Sequence, residues 1–408
     1  MTPNQGMTRR EFTREVVAAA ALSSTVGISD AAAGWGSGRL VDPNDHGQDR
    51  DPMAIHRSTL VINGLDPSSL SVKYLDMMKQ GGVAAWLRAE HQTLADLTAS
   101  HAFYDQNRDR IVAARSVREI RDAHQQGKLA QILGWQSAEQ LSVDRSQGVL
   151  GGPAIGNLRA YYELGLRTCG IAYNLANEFG AGCLEPHIPL TRNGRKLVAE
   201  IHKLRMVLDV GGHTGEQTSL DALAMSSGVP VICSHTNIKT LVDNPRCTSD
   251  RVLEAIAKTG GVIGITAFND FHARSRGDTG VLRTPQVGLD KHLDQYDYLK
   301  RLVGVDHVGL GPDFTFGGTK PVPVFPLEVS AAAPAERIPD RNANGSEQYA
   351  SPEAYSIQRP WLYVKGFESI AELPNVTRGL IQRGWSTAEI RKVLGENWLR
   401  VYEKVWGA

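Results

Sequence analysis

Three side chains, His213, His235 and Asp313, carry the chemistry this sequence announces. Each directly follows a short apolar run, in Asp209-Val210-Gly211-Gly212-His213, Cys233-Ser234-His235 and Gly311-Pro312-Asp313. Two histidines and an aspartate gathered in one place suit a divalent metal, whose bound water the aspartate could deprotonate. The same histidines could instead be hydrogen-bonded rim residues, the commoner fate of a single His, and spacing leaves both readings open. Arg246, after Pro245, carries a planar fork that matches a carboxylate bidentately. A structural ion pair with Asp243 or Asp250 is its alternative role.

These groups can meet only if the chain between them folds back repeatedly. From residue 59, short β-branched or apolar runs alternate with longer amphipathic stretches, the signal for repeated βα units and a parallel sheet. Residues 59–62, 83–87, 130–134, 166–171, 207–210, 229–233, 262–265 and 307–311 read as strands. Stretches 116–126, 192–204, 218–225 and 249–259 read as helices between them, several ending at Gly. Eight strands with crossover helices predict an α/β fold, a (β/α)8 TIM-like barrel whose chemistry sits at the carboxyl ends of the strands. The run 387–405 has helical spacing and is expected on the barrel exterior. Residues 313–359, rich in Pro, Ala and Asn, form a long insertion after the last strand, where a lid could form. Phe316, Tyr355, Trp361 and Tyr363 around it are candidates for a pocket wall or for simple loop packing.

Composition narrows the partner. The 408 residues balance 44 Lys plus Arg against 44 Asp plus Glu, so no electrostatic footprint for nucleic acid or an anionic membrane surface exists. A small-molecule substrate is expected. Cys169, Cys183, Cys233 and Cys247 lack metal or redox spacing and are too sparse for a disulfide scaffold, though one or two disulfides stay open. Near the start, Arg9-Arg10 precedes the apolar run 16–22 and the small residues Asp30-Ala31-Ala32-Ala33-Gly34, the layout of a twin-arginine export signal. An Ala-rich disordered terminus is the other reading. Residues 1–33 are thus a signal peptide, 34–51 a polar linker and 52–408 a single barrel domain, exported in folded form to the periplasm or beyond. The apolar run is too short and too interrupted to span a bilayer.

Several stretches together resemble a known family. Tyr162-Glu163-Leu164-Gly165-Leu166-Arg167, His213-Thr214-Gly215-Glu216-Gln217-Thr218, Pro230-Val231-Ile232-Cys233-Ser234-His235, Asn244-Pro245-Arg246 and His307-Val308-Gly309-Leu310-Gly311-Pro312-Asp313 are similar to the renal (membrane) dipeptidases. So is the tail from Gly384-Trp385-Ser386 through Leu394-Gly395-Glu396-Asn397-Trp398. The resemblance implies a metal-dependent barrel of the amidohydrolase type that cleaves dipeptides or related amides. It further implies metal binding at His213 and His235, a substrate-carboxylate contact at Arg246, proton handling at Asp313, and a homodimer.

The departures from that pattern shape the expectation as much. Where the family has a His-x-Asp pair after the first strand, this chain has Leu65 and Pro67, neither able to ligate. Where the family has a metal-bridging glutamate after the third strand, it has the neutral Gln136. Losing a bridging carboxylate removes the charge that lets two cations sit close together. The expectation is therefore one Zn²⁺ at most, on His213 and His235 with the Gln136 carbonyl as a further ligand. Tyr173 and Asn174 stand where relatives contact substrate, Tyr173 with a catalytic role beside Asp313. Asp66 is a spare carboxylate, a replacement ligand if the loop is displaced by one residue or else a solvated turn residue before Pro67, and His187 and His272 read as local participants or, more commonly, surface residues. The Asp209-to-His213 spacing is one residue longer than the family's. Three readings follow: a hydrolase of an amide-like, carboxylate-bearing compound with one metal-activated water; a metal-free lyase or isomerase using Asp313, His213, His235 and Tyr173; or an exported binding protein. Fold alone does not choose among them.

Overall fold

The computed structural model describes residues 51–89, 93–142, 153–273, 275–276, 282–283, 285–316 and 362–407. The expected signal peptide, the linker up to residue 50 and most of the long insertion, with Tyr355 and Trp361, lie outside the described residues.

Eleven strands are described: β1 Ile62–Asn63, β2 Ala85–Ala89, β3 Ile111–Ala113, β4 Leu129–Trp135, β5 Leu166–Gly170, β6 Val207–Asp209, β7 Ile232–Thr236, β8 Val262–Ile265, β9 Ser275–Arg276, β10 Leu282–Arg283 and β11 Val308–Leu310. Eight of them form a parallel sheet in the order β1-β2-β4-β5-β6-β7-β8-β11. The ring is drawn together across its ends where Gly64 N donates to Leu310 O at 2.9 Å and Asp313 N to Leu65 O at 3.0 Å. This is the expected (β/α)8 TIM-like barrel. β3 is an added strand that pairs with β4 outside the ring, and β9 and β10 pair antiparallel. Both features are two or three residues per strand, too short to leave a period in the sequence.

One strand boundary matters for the site. The run expected at 229–233 pairs three residues later, over β7, because Pro230 has no N–H to give a ladder. Ser234 and His235 therefore lie inside β7, not beyond it.

The helices form where their caps allow. Ser116 Oγ accepts from Glu119 N ahead of Val117–Gln125, and Thr191 Oγ1 accepts from Gly194 N ahead of Arg192–Lys203. The apolar faces of Arg192–Lys203, Asp250–Lys258 and Leu289–Val303 pack on the outward strand side chains: Leu197, Ile201, Leu253, Ile256 and Leu299 join Cys169, Leu208, Ile263 and Val308 in one buried cluster. All four cysteines are buried thiols, and none forms a disulfide.

The inward faces hold a correction. The alternating run 387–405 does not simply cover the exterior. Its last helix, Asn397–Trp406, places Trp398 and Tyr402 in a cluster with Ile62, Ala85, Leu87, Ala130, Ile132, Val207, Ile232 and Val262, alternate residues of the barrel strands. Gly64 and Gly309 make room for it: a Cβ on either would sit 2.2 Å or 2.7 Å from the Trp398 indole. Small residues leave a hollow that the indole fills, so the helix plugs the barrel from the side opposite the site. Trp398→Ala is expected to lower unfolding stability by about 3–5 kcal/mol through the cavity it leaves. The half-buried Trp406→Ala should cost clearly less. Denaturant midpoints of the two variants, at constant slope, measure the difference.

Candidate active site

β5, β6, β7 and β11 deliver their following residues to the carboxyl face. His213 and His235 meet there, with ring centroids 5.0 Å apart and planes at 57°. The extra residue between Asp209 and His213 does not displace them. Gly211 and Gly212 take up φ of 75° and 57°, a left-handed turn that returns the chain to register. Gly212 also needs to lack a side chain, since a Cβ would lie 2.4 Å from Arg246 Nη1 and 2.6 Å from His235 O.

Each imidazole has a hydrogen-bond partner at Nδ1. Asn174 Oδ1 lies 2.8 Å from His213 Nδ1, and Ser234 Oγ lies 2.8 Å from His235 Nδ1. Asn174 sits at φ 54° and also accepts from Cys183 Sγ at 3.3 Å. Tyr173 stacks face to face on His213, centroids 3.7 Å apart. Burial, then the nearby Arg246 charge, holds the His235 imidazole well below its ordinary pKa, so it is neutral at pH 7. His235 Nε2 is buried with no hydrogen-bond partner.

Arg246 is 0% exposed. Its two terminal nitrogens donate to His235 O at 3.4 Å, and its guanidinium lies 5.5 Å from the Phe271 ring centroid. The carboxylates expected as alternative partners are engaged elsewhere: Asp250 accepts from Thr240 and Tyr298, and the 95% exposed Asp243 lies 3.7 Å from Lys239 Nζ. Asp209 and Asp313 both feel the Arg246 charge. Burial raises Asp209 to about 6, with Ser234 and Arg246 pulling it back. Burial likewise raises Asp313 to about 7, with Arg246 opposing and Asp66 adding to the rise. Asp313 occupies φ 62° and is anchored through its N–H to Leu65 O. A carboxyl poised near neutrality can accept or return a proton at pH 7. Asp209 carried no candidate role in the sequence. Its acidic type next to a histidine-bearing loop was the available signal.

The first-strand loop departs from its expected character. Leu65 is wholly buried, and Asp66, read as a solvated turn residue, is wholly buried too. It does make the turn, accepting from Ser68 N at 2.8 Å, but its carboxylate is enclosed by Asn63 Nδ2 and the Tyr74 hydroxyl, and burial lifts its pKa to about 7. Phe316 stacks on Tyr74 and Tyr363 bonds Thr315 through its hydroxyl, so both aromatics serve this packing. At β4, Gln136 Nε2 reaches Ala89 O at 3.4 Å while Gln136 Oε1 is buried without a partner. Among the described residues no three of His, Cys, Asp and Glu come together as a metal site.

His187 is exposed, as expected, whereas His272 is not a surface residue. It donates from Nδ1 to Phe268 O at 2.8 Å, and its Nε2 lies 3.1 Å from Asn237 Nδ2 and 3.0 Å from His292 Nδ1. Two donors facing Nε2 require a bare lone pair there, so the pair fits together only when the His272 ring is neutral. Burial ties β7, β8 and the helix Leu289–Val303 into this network.

A (β/α)8 barrel with histidine, aspartate and arginine side chains at the carboxyl face is the architecture of a barrel enzyme. Residues 64–326 and 361–407 match the family described as membrane dipeptidase (peptidase family M19), and the chain belongs to that family of hydrolases. A protein of Klebsiella pneumoniae, known only as an uncharacterized protein in the pqqA 5' region, is 30% identical over 61% of this chain and 76% of its own length. The dipeptidase tcpJ of Claviceps purpurea is 24% identical over 73% of this chain, which spans 56% of that protein. Among solved structures, an amidohydrolase from Pseudomonas aeruginosa superposes with a TM-score of 0.70 at 28% identity, covering 88% of this chain and all of that one. A metallo peptidase from Rhodobacter sphaeroides, solved with a phosphinate mimic of L-Ala-D-Ala, shares the fold at a TM-score of 0.62 and 20% identity, over 85% of this chain and all of that one. No helix among the described residues is long and apolar enough to cross a membrane.

The buried histidine pair generates a pH dependence. Burial lowers His272 from its ordinary 6.5 to about 4 and His292 well below 6.5, so the stability they lend is whole above pH 6.5 and lost as pH falls toward 4. Relative to a His292→Leu variant, the wild type should lose stability across that window with a slope approaching about 1.4 kcal/mol per pH unit. Denaturant titrations at four or five pH values read it. Parallel curves for the two proteins would contradict it.

Proposed function

We propose that this protein hydrolyses a small, carboxylate-bearing amide or peptide-like compound, using at most one divalent ion, zinc by preference, held by His213 and His235. The observation that carries this reading is the pair of imidazoles with Nδ1 engaged, one of them, His235, presenting a buried Nε2 with no partner. The donor set suits a single ion. Two nitrogens and the amide oxygen of Gln136, itself buried without a partner, supply three ligands, but Leu65, Pro67 and Gln136 supply no anionic oxygen to hold a second cation beside the first.

A zinc ion bound there would polarise a carbonyl and lower the pKa of a bound water. Asp313, near neutrality and fixed by its backbone tie to Leu65, takes the proton from the attacking water and returns it to the leaving amine. Tyr173 fixes the plane of His213 by stacking on it and lies where a substrate backbone would pass. Arg246 supplies positive charge in a water-poor setting, which favours an anionic substrate group. The twin-arginine layout at Arg9-Arg10 supports export, with the activity outside the cytoplasm.

Elemental analysis of dialysed protein should give no more than one zinc per chain, and His235→Ala should abolish it. Two tightly bound ions per chain would overturn the single-ion reading. With a panel of dipeptides and related amides as substrates, Arg246→Lys should raise KM by about 10- to 100-fold, the loss of a charge-assisted fork, with a smaller effect on kcat. An unchanged KM with a lowered melting temperature would make Arg246 structural only.

A further inference from the structure

We propose that His272 is a positioning residue for Arg246: it fixes the turn Asn269–Phe271, whose Phe271 ring lies against the guanidinium, and so sets how strongly the site takes a carboxylate-bearing substrate. The proposal rests on the carboxylate reading of Arg246 for the ligand, not for the placement of the side chain.

Arg246 stands on a loop that is closed at its neck directly after β7. Thr248 N donates to Asn237 O at 2.9 Å, and Lys239 N donates to Thr248 O at 3.0 Å. Inside the loop Arg246 N donates to Asn244 Oδ1 at 2.9 Å, and Asn244 Nδ2 donates to Asp270 O at 3.3 Å. The turn Asn269–Phe271 after β8 thus meets the arginine twice, at its backbone through Asn244 and at its guanidinium, which lies 5.5 Å from the Phe271 ring centroid. The bonds from the guanidinium to His235 O are long, at 3.4 Å each. Long bonds locate a side chain loosely, so the position of the ring matters to where the fork points.

His272 closes that turn, its N–H donating to Asn269 O at 3.0 Å. A carbonyl oxygen only accepts, so the 2.8 Å contact of His272 Nδ1 with Phe268 O puts a proton on Nδ1. Nε2 of the neutral ring is then an acceptor, and it faces Asn237 Nδ2 at 3.1 Å. The amide of Asn237 agrees on its other side: Thr266 Oγ1 accepts from Phe268 N at 3.2 Å and gives its own proton to Asn237 Oδ1 at 2.7 Å. Asn237 therefore bonds both ends of the segment 266–272, while its carbonyl holds the neck of the Arg246 loop. Every direction in this chain closes without a charge, and Asn237, Thr266, Phe268 and His272 are all buried. Removing the imidazole leaves the turn that carries Phe271 tied to the neck by Thr266 alone.

The test compares, in the full-chain protein, dipeptides with a free carboxylate and the same dipeptides capped as C-terminal amides. His272→Leu should raise KM about 10-fold for the free carboxylates with kcat nearly unchanged, and should leave KM for the capped series where it is. Asn237→Ala, which removes the donor to Nε2 and keeps the imidazole, should act in the same direction. His272→Gln, whose amide oxygen can accept from Asn237 in place of Nε2, should restore the wild-type KM. A second readout needs no turnover. In protein labelled with ¹⁵N at arginine, with Arg246 assigned by comparison with Arg246→Lys, His272→Leu should displace the Arg246 Nε–H signal in the direction that Phe271→Leu displaces it. If the variants lower only the melting temperature, with KM and the Arg246 signal unchanged, or raise KM equally for both series, the role is structural and the proposal falls. A displaced Arg246 signal in a protein that treats free and capped dipeptides alike supports the positioning role and overturns the carboxylate reading instead.

Discussion

The arrangement of the carboxyl face depends on a single cost, that of burying the Arg246 guanidinium. A cation wholly removed from water is tolerated only when hydrogen bonds and opposite charge surround it. Here the surroundings come from three different strand ends: the His235 carbonyl on β7, Asp209 at the end of β6 and Asp313 after β11. The guanidinium lies against Gly212, where the chain turns back to present His213. Satisfying one charge thereby sets the spacing of both histidines and the aspartate. The same cation keeps the His235 ring neutral, the state in which an imidazole nitrogen can act as a ligand.

The barrel beneath supplies rigidity at the cost of an unusual core. Alanines and glycines on the inward faces of several strands leave a hollow, and the last helix fills it with Trp398 and Tyr402. Closure of the barrel and docking of the chain's end are therefore one event. Residues more than 300 positions apart in sequence, such as Gly64 and Trp398, have to be in contact for the first strand to lie where it does. This long-range dependence explains why the end of the chain contributes to a site it does not touch.

The first-strand loop is built around two wholly buried residues, Leu65 and Asp66. With Leu65 and Pro67 in place, the loop has turned Asp66 inward to Asn63, Ser68 and Tyr74, and the Leu65 carbonyl holds the Asp313 backbone. This loop is a packed, hydrogen-bonded core. What remains for chemistry is concentrated on β5, β6, β7 and β11.

The sequence by itself determined the eight-strand rhythm, the helices between, and the placement of His213, His235 and Asp313 near strand ends with Arg246 on the loop after the sixth strand. These are local signals, because apolar period and cap residues act within a few positions of one another. Family resemblance added the hydrolase class. Only the tertiary structure decided that Asp66 is buried, that His272 pairs with His292, that Asn174 and Ser234 stand behind the two histidines, and that Trp398 enters the barrel. Each of those depends on which side chains meet across strands and loops distant in the chain. Burial, the orientation of a hydrogen bond and the compensation of a charge are properties of such meetings, and no run of neighbouring residues encodes them alone.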